Sequence, residues 1–515
     1  MQLHVAKRSS FAASVLKLPL FLLLFGVFSL AMLVPAVYGG VLRDFDTARA
    51  FLHSSILGMA LFAMIGLAHA GRDPRHGALG PLVSLFCAFL LLPVVLAVPF
   101  YEALGTTTFL NAYVEMVSAI TTTGATIFDD PDRLNAPLHL WRALVAWMGG
   151  LMMWIAASAI LAPLNLGGFE VTARAEPGQT TTRDASMTAP EVRVRITKVS
   201  AVLVPIYGAL TLLLWIMLAL GGDAGLVALC HAMSILSTSG ISPVGGLDDA
   251  ASGIAGEAVM LLFMLFALSR LTFSTDTITS QTGGLRQDPE FRIGLALVIV
   301  VPLVLFFRHF LGAIDVNAED DLLSAGRALW GSGFTVLSFL TTTGFTSDYW
   351  SEAQGWSGLT TPGLLLMGLA LVGGGVATTA GGVKLLRVFA LYVHGLREME
   401  RLVYPSSVGG VSLMGRRLQK GGAFIAWVFF MLFALTLALI SVMLTATGVP
   451  FDTSLVIAVA GLSTTGPLLD VAANTPVALI DMGATAKAIF VAAMVLGRLE
   501  MLAIIALLSP DLWRG

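Results

Sequence analysis

The chain has 515 residues, of which 57% are hydrophobic and only 12% are charged, and its mean hydropathy is +0.86. Soluble domains carry about 25% charged residues, so the composition excludes an ordinary soluble protein and predicts one that is embedded in lipid. The net charge of −3 gives no indication of nucleic-acid binding. Cys87 and Cys230 lie in apolar surroundings, and we interpret them as buried thiols, although one disulfide is formally allowed.

Apolar stretches of about 20 residues, the length that crosses a bilayer, recur along the whole chain. The first follows three basic residues and is longer than the apolar core of a signal peptide, so we interpret it as a retained span. The predicted spans are 18–38, 48–69, 82–104, 138–163, 200–221, 256–272, 293–313, 362–393, 422–447 and 484–508. The sixth is short and runs into the polar segment 274–284.

The charges between these stretches predict an orientation. With both termini in the cytoplasm, most of the 29 basic residues fall on the inner side, as the positive-inside rule requires. The outer side then collects Asp44, Asp46, Asp129, Asp130, Asp132, Asp315, Glu319, Asp320, Asp321, Asp348 and Glu352. An acidic outer vestibule would concentrate cations, although solvation at the lipid headgroups is an equal alternative for any single acid.

A short motif occurs four times at corresponding places among the spans. The copies read Thr-Thr-Thr-Gly-Ala-Thr at 121–126, Ser-Thr-Ser-Gly-Ile-Ser at 237–242, Thr-Thr-Thr-Gly-Phe-Thr at 341–346 and Ser-Thr-Thr-Gly-Pro at 463–467. Each copy follows a stretch that is too short to cross a bilayer, namely 110–120, 225–236, 328–340 and 455–462. The predicted unit is therefore a span, a half-helix, a glycine turn and a second span.

The residue types in this motif suit a cation pore. Irregular backbone at membrane depth needs cover from protein or water, and rings of main-chain carbonyls can replace the hydration shell of a cation. Glycine reaches the positive φ angles that aim successive carbonyls at one axis. The predicted selectivity filter, with potassium as the transported ion and no organic cofactor, consists of Thr122, Thr123, Gly124, Thr238, Ser239, Gly240, Thr342, Thr343, Gly344, Thr464, Thr465 and Gly466.

These turns, the segment Gly373–Lys384 (GGGVATTAGGVK), the sequence Gly-Arg-Leu-Glu at 497–500 and the ending 508–514 carry a family resemblance. The chain resembles the Trk/Ktr/HKT superfamily of potassium transporters, and within it the TrkH/TrkG-like membrane subunits of bacterial Trk potassium uptake systems. The resemblance implies an all-α polytopic membrane protein with two N-terminal spans and four span–pore-helix–filter-loop–span repeats in pseudo-fourfold arrangement around one pore. The expected units are 1–76, 77–170, 195–285, 290–400 and 418–515.

The same resemblance implies the setting in which the chain works. It predicts a multi-pass homodimer in the bacterial inner membrane, with cytoplasmic termini and a cytosolic, nucleotide-binding, TrkA-like regulatory ring as partner. Glycine at all four filter positions favours potassium over sodium. The second and fourth motifs depart from the family pattern around that glycine, so we expect moderate selectivity.

The segment Gly373–Lys384 interrupts the eighth predicted span with five glycines and two threonines, which disfavours a helix. The resemblance implies an intramembrane loop that gates the pore, whereas a close-packed interface of small residues is the alternative. The candidate gate residues are Gly373, Gly374, Gly375, Thr378, Thr379, Gly381, Gly382, Lys384 and Arg498. Lys384 either assists the gate or extends to the inner membrane surface.

Arg498 lies deep in the last predicted span, where a charge costs at least about 2.5–3.5 kcal/mol, so it should face the pore or a partner. The resemblance implies an electrostatic barrier below the filter, and an internal ion pair is the alternative. Glu500 points to a different helix face, so we do not expect it to pair with Arg498. The remaining intramembrane charges show no evident pairing in the sequence.

Three further charged features have structural interpretations. We expect Glu115 and His231, in the first and second half-helices, to bond filter backbone. The basic segment 387–417 should be a cytoplasmic flank, or else a contact for the regulatory ring. No motif of an intramembrane enzyme is present, and four units of the same sense do not suit a transporter built from inverted repeats. Counter-ion coupling within the pore stays open.

Overall fold

Every regular element that the computed structural model describes is helical, which confirms the predicted all-α class. The described residues are 18–69, 80–164, 166, 168–169, 189–248, 250–269, 288–312, 322–359, 361–404, 422–473, 475–501 and 503–504. The basic N-terminal residues, the acids 315–321 and the ending 508–514, which the sequence analysis singled out, lie outside these ranges.

The first two helices with a membrane-crossing length form an N-terminal pair. Helices α1 (Leu20–Ala31) and α2 (Leu33–Val41) continue into each other as one span, and α3 (Phe45–His69) packs back against it. The buried hydroxyl of Ser55 donates to the carbonyl oxygen of Ser29 at 2.8 Å. This hydrogen bond joins the two spans at a point where lipid offers no polar partner.

Four further groups of helices follow in chain order, and each contains one predicted half-helix. The first is α4 (Gly80–Leu104), α5 (Phe109–Ile120) and α6 (Ala136–Ala156), and the second is α7 (Ala189–Leu220), α8 (Gly225–Ser237) and α9 (Gly253–Met264). The third is α10 (Pro289–Gly312), α11 (Leu322–Leu340), α12 (Trp350–Ser357), α13 (Pro362–Val372) and α14 (Leu385–Val403). The fourth is α15 (Gly422–Ala446), α16 (Phe451–Ser463), α17 (Leu468–Val471) and α18 (Ala484–Leu499). We call α5, α8, α11 and α16 the half-helices.

Seven helices in the described part of the chain are long and apolar enough to cross a membrane, and three of the ten predicted spans are not among them. The stretch 256–272 becomes α9 and a short 3₁₀ turn, Leu265–Leu268. The stretch 362–393 is broken between α13 and α14 by the glycine-rich segment. Helix α18 ends at Leu499, because the next residue, Glu500, has a left-handed φ of 62°.

Burial separates the half-helices from the outer spans. Most of α5, α8 and α16 is buried, whereas large apolar side chains on the outer faces of the spans, such as Leu57 and Leu67 in α3, are 70–77% exposed. An apolar outer face is what contact with a lipid bilayer requires. Cys87 and Cys230 are both free thiols, and Cys230 is buried as predicted, whereas Cys87 is only partly buried.

Candidate functional site

Each half-helix ends in a turn that begins with the same backbone conformation. We call residues 121–124, 237–240, 341–344 and 463–466 the glycine turns. The threonine two positions before each glycine has a left-handed backbone, with φ between 52° and 58° at Thr122, Thr238, Thr342 and Thr464. The next amide bonds back to the carbonyl five residues earlier at 2.9–3.0 Å, which closes a Schellman motif. This conformation costs a non-glycine residue about 1–2 kcal/mol, so its fourfold occurrence indicates a functional constraint.

A pair of hydroxyl groups braces each glycine turn. The Thr or Ser three positions before the glycine donates to its own helix at 2.7–2.9 Å. Its oxygen also lies 2.9–3.1 Å from the hydroxyl of the residue just before the glycine. The bracing pairs are Thr121 with Thr123, Ser237 with Ser239, Thr341 with Thr343, and Ser463 with Thr465. These hydroxyls bond one another, whereas those of Thr122 and Thr464 have no hydrogen-bond partner among the described residues.

The four glycine turns contact one another in a closed cycle. A Cβ atom added to the glycine of each turn would strike the next turn in chain order, or the residue directly after it, and the fourth turn would meet the first in the same way. The pairs are Gly124 with Ser239, Gly240 with Thr343, Gly344 with Pro467, and Gly466 with Ala125. The missing side chains therefore allow four backbones to approach one another this closely.

The fourth turn departs from the other three. Gly124, Gly240 and Gly344 have φ angles of 73°, 67° and 89°, whereas Gly466 does not have a positive φ. Its amide instead donates to the carbonyl oxygen of Thr123 at 2.5 Å. The prediction that every filter glycine is needed for a positive φ is therefore wrong for Gly466, which is needed for its close contact with the first turn.

The loop 373–384 between α13 and α14 touches the helix side of the glycine turns. The amide of Gly381 donates to the hydroxyl of Thr342 at 2.7 Å, and the hydroxyl of Thr379 donates to the carbonyl of Leu236 at 3.2 Å. The loop thus contacts the third turn and the end of α8 directly. A small cavity lies beside it, lined by Thr238, Thr378, Thr379 and apolar side chains that include Trp154 and Phe263.

Two buried cations hold this loop. Arg498 is 3% exposed and its Nη1 donates to the carbonyl of Thr379 at 2.6 Å. Its Nε and Nη2 atoms have no hydrogen-bond partner among the described residues. Lys384 is also buried and its Nζ donates to the carbonyl of Ala380. The alternative that Lys384 extends to the membrane surface is therefore wrong, because its ammonium group turns back into the loop.

A buried ion pair at the start of α14 is not evident in the sequence. Arg387 is fully buried, its Nη2 donates to Glu500 Oε2 at 2.6 Å, and its Cζ lies 3.6 Å from the centre of the Phe429 ring. The prediction that segment 387–417 is a cytoplasmic flank is wrong for Arg387. The first turn of α14 is still inside the protein, because the loop before it does not reach the surface.

Glu115 bonds main chain as predicted, but three residues past Gly124 rather than at the predicted filter residues themselves. Its Oε2 accepts from the amide of Ile127 at 2.8 Å, and its Oε1 forms a buried ion pair with Arg142 Nε at 2.6 Å. Together with the Arg387 pair, this corrects the expectation that intramembrane charges do not pair. His231 departs from its prediction, because its Nε2 lies 2.9 Å from the hydroxyl of Ser242 rather than from a main-chain atom.

Three acidic side chains, Asp129, Asp470 and Asp481, interact after the first and fourth turns, and only Asp129 is among the acids that the sequence predicts on the outer side. Burial raises the pKa of Asp470 to about 6, and the nearby Asp129 adds to this effect. Burial and the charge of Asp481 also raise the pKa of Asp129, while Arg133 opposes them. Carboxylates this close together give their surroundings a negative potential.

Comparisons with known proteins agree with the resemblance noted in the sequence. The TrkH family model, described as a cation transport protein, matches residues 95–513. The chain is 30% identical over 502 residues to the Trk system potassium uptake protein TrkH of Salmonella typhimurium, which covers 95% of this chain and 97% of the relative. TrkH of Escherichia coli K12 gives the same figures. The family description is that of a transport protein, as predicted, rather than of an enzyme.

A solved structure extends the likeness to three dimensions. The crystal structure of the potassium transporter TrkH from Vibrio parahaemolyticus matches with a TM-score of 0.80 at 25% identity. The match covers 97% of this chain and 99% of that chain. The predicted membership of the Trk superfamily is therefore confirmed by sequence and by fold.

Proposed function

We propose that this chain, which belongs to the TrkH family of cation transport proteins, carries potassium ions inward across the bacterial inner membrane. The observation that carries the proposal is the closed cycle of the four glycine turns. It supports the proposal because four turns from distant parts of one chain lie against one another. The names of the relatives, which are Trk system potassium uptake proteins, support potassium as the ion.

In this proposal the glycine turns form the selectivity filter around one pore, in a pseudo-fourfold arrangement. A potassium ion exchanges its water for the carbonyl oxygens of the turn residues. The half-helices point their partly negative C-terminal ends toward the ion, which stabilises its charge. The proposed filter is the set of twelve residues predicted from the sequence, with the carbonyls as ligands and the braced hydroxyls as supports.

We further propose that the loop 373–384 is the gate. This proposal is supported by its hydrogen bonds to Thr342 and Leu236, which hold the loop against the third turn and the end of α8. Arg498 holds the loop there and adds a positive charge that opposes cation passage. Opening then requires the loop to leave the turns, and α14, which begins at its end, is the element through which such a movement reaches the inner side.

The assembly that we propose follows the family resemblance. Two copies form a homodimer in the inner membrane with cytoplasmic termini, and a TrkA-like nucleotide-binding ring controls the gate from the cytosol. The exposed basic residues Arg397 and Arg401 of α14 support an inner position for this helix under the positive-inside rule.

Growth of a potassium-uptake-deficient bacterium tests the proposed function. Expression of the chain with a cognate cytosolic partner should restore growth at low potassium. The Gly344→Ser variant should restore it poorly, because a Cβ at φ 89° would press on Pro467 in the next turn. If the wild-type chain is present in the membrane with its partner and growth is not restored, the proposal is wrong.

Arg498→Ala should raise the rate of rubidium uptake into proteoliposomes by about tenfold, the effect of losing one charged hydrogen bond. The variant loses both the bond to Thr379 and the positive charge below the filter. Arg498→Lys keeps the charge and is the matched control, with a smaller expected rise. A variant that transports more slowly than wild type at equal protein would contradict the barrier role.

A further inference from the structure

One position of the half-helices faces the outer part of each filter loop. It lies nine residues before the glycine and is occupied by Glu115, His231, Thr335 and Ile457. All four side chains are buried, with exposures of 0–2% for the three polar ones. Three polar side chains at one register position of buried apolar helices need a reason, because burial without a partner would destabilise the fold.

The first and third units use this position in the same way. Glu115 accepts a hydrogen bond from the amide of Ile127 at 2.8 Å, and Thr335 accepts one from the amide of Ser347 at 3.2 Å. In both units the amide is twelve residues further along the chain, three residues past the glycine. The carboxylate of Glu115 and the hydroxyl of Thr335 thus have the same role. Each links the segment after the glycine to the half-helix that precedes it.

The second unit keeps this tie by another route. The residue twelve positions after His231 is Pro243, which has no amide proton to donate. The ring of His231 instead meets the hydroxyl of Ser242 at 2.9 Å, and that hydroxyl donates to the carbonyl of Gly246 at 2.9 Å. Because the Ser242 hydroxyl uses its proton for Gly246, His231 Nε2 is the donor to Ser242. The second unit thus has a donating imidazole where the first and third units have an accepting side chain.

The fourth unit has no tie of this kind, and its loop shows why. The amide of Leu469, the equivalent donor, already bonds to the carbonyl of Gly466 at 2.9 Å within the turn that leads into α17. Because this amide is already bonded, the side chain at position 457 needs no acceptor, and the apolar Ile457 is suitable there. The fourth loop is fixed instead to its neighbour, through the bond from the Gly466 amide to the Thr123 carbonyl at 2.5 Å.

We infer that Glu115, His231 and Thr335 are positioning residues for ion selectivity, each a strut that fixes the carbonyls of its own filter wall from outside. The inference rests on the proposed potassium function. Each of these side chains forms its hydrogen bond to a residue two or three positions after the glycine of its own turn. Loss of that bond would let the main-chain carbonyls of the turn move outward. A looser ring favours potassium less strongly over the smaller sodium ion.

Thr335→Val tests this inference, since it removes the acceptor and keeps the shape. Rubidium uptake into proteoliposomes, in competition with potassium or sodium, gives the selectivity ratio. We expect Thr335→Val to lower the potassium-to-sodium ratio about fivefold, as loss of one neutral hydrogen bond would. Thr335→Ser keeps the hydroxyl and should stay near wild type. Ser332→Ala removes a buried hydroxyl that bonds only the carbonyl of Leu329 in the same helix, so the ratio should not change.

A second variant covers the case in which Thr335→Val does not fold. His231→Phe keeps an aromatic ring against Phe345, whose centre lies 5.6 Å away, and removes the donor to Ser242. It should also lower the selectivity ratio. Unchanged ratios in the folded variants would overturn the strut while leaving the proposed function intact. A wild-type chain without any rubidium uptake would overturn the proposed function and the inference together.

Discussion

Replacing Gly124 with alanine should lower potassium uptake at least about tenfold, the largest effect that we expect from any single methyl group in this protein. The new Cβ would collide with the carbonyl oxygen of Ser239 in the second turn, and φ at this position is 73°. The carbonyl that must move belongs to the ring that we propose as the filter. Rubidium uptake into proteoliposomes, scaled to the amount of folded protein, measures the effect.

Gly105→Ala is the matched control for this variant. Gly105 also has a positive φ, of 63°, but a Cβ built there has no atom within 4 Å. It therefore has the same backbone strain without the collision. Uptake by Gly105→Ala should stay close to wild type. If both variants lose uptake equally, backbone strain rather than the contact between turns is the cause, and the proposed filter geometry is wrong.

Arg387→Met should cost the protein about 3–5 kcal/mol of stability, because it leaves the carboxylate of Glu500 buried without its partner. It also removes the cation from the face of Phe429, 3.6 Å away. The variant should lose its monodisperse peak on size exclusion after heating at a clearly lower temperature than wild type. Adding Glu500→Gln should recover part of the loss, since the remaining group is then neutral.

Arg401→Met provides the comparison on the same helix. Arg401 pairs with Glu398 at 2.7 Å, but both side chains are about half exposed. An exposed pair contributes about 1 kcal/mol or less, so the melting temperature should change little. Equal losses for Arg387→Met and Arg401→Met would contradict the buried pair at the start of α14.

The Arg387 pair lies close to the end of the loop 373–384. Lys384 and Glu500 both have left-handed backbones, with φ of 85° and 62°, where the loop meets α14 and where α18 ends. The Arg387–Glu500 ion pair joins the start of α14, three residues after Lys384, to the end of α18, which carries Arg498.

The glycine turns were predictable because their chemistry is local. A Thr or Ser, a Thr, a second hydroxyl residue and a Gly specify the Schellman closure and the hydroxyl pair within each turn, and four copies reveal themselves as a repeat. The role of Gly466 was not predictable, because its amide bonds to Thr123, more than three hundred residues away in the chain. The partners of Arg142 and Arg387, which are Glu115 and Glu500, were not predictable for the same reason.

The sequence by itself determined the lipid environment, the helical class, the four glycine turns and the break in the eighth predicted span. These features depend on composition, periodicity and glycine content, which act over short distances along the chain. Only the tertiary structure decided which charges neutralise one another and which turn contacts which. Both depend on distances between remote segments, and in a low-dielectric interior a buried charge is tolerated only where folding supplies its partner.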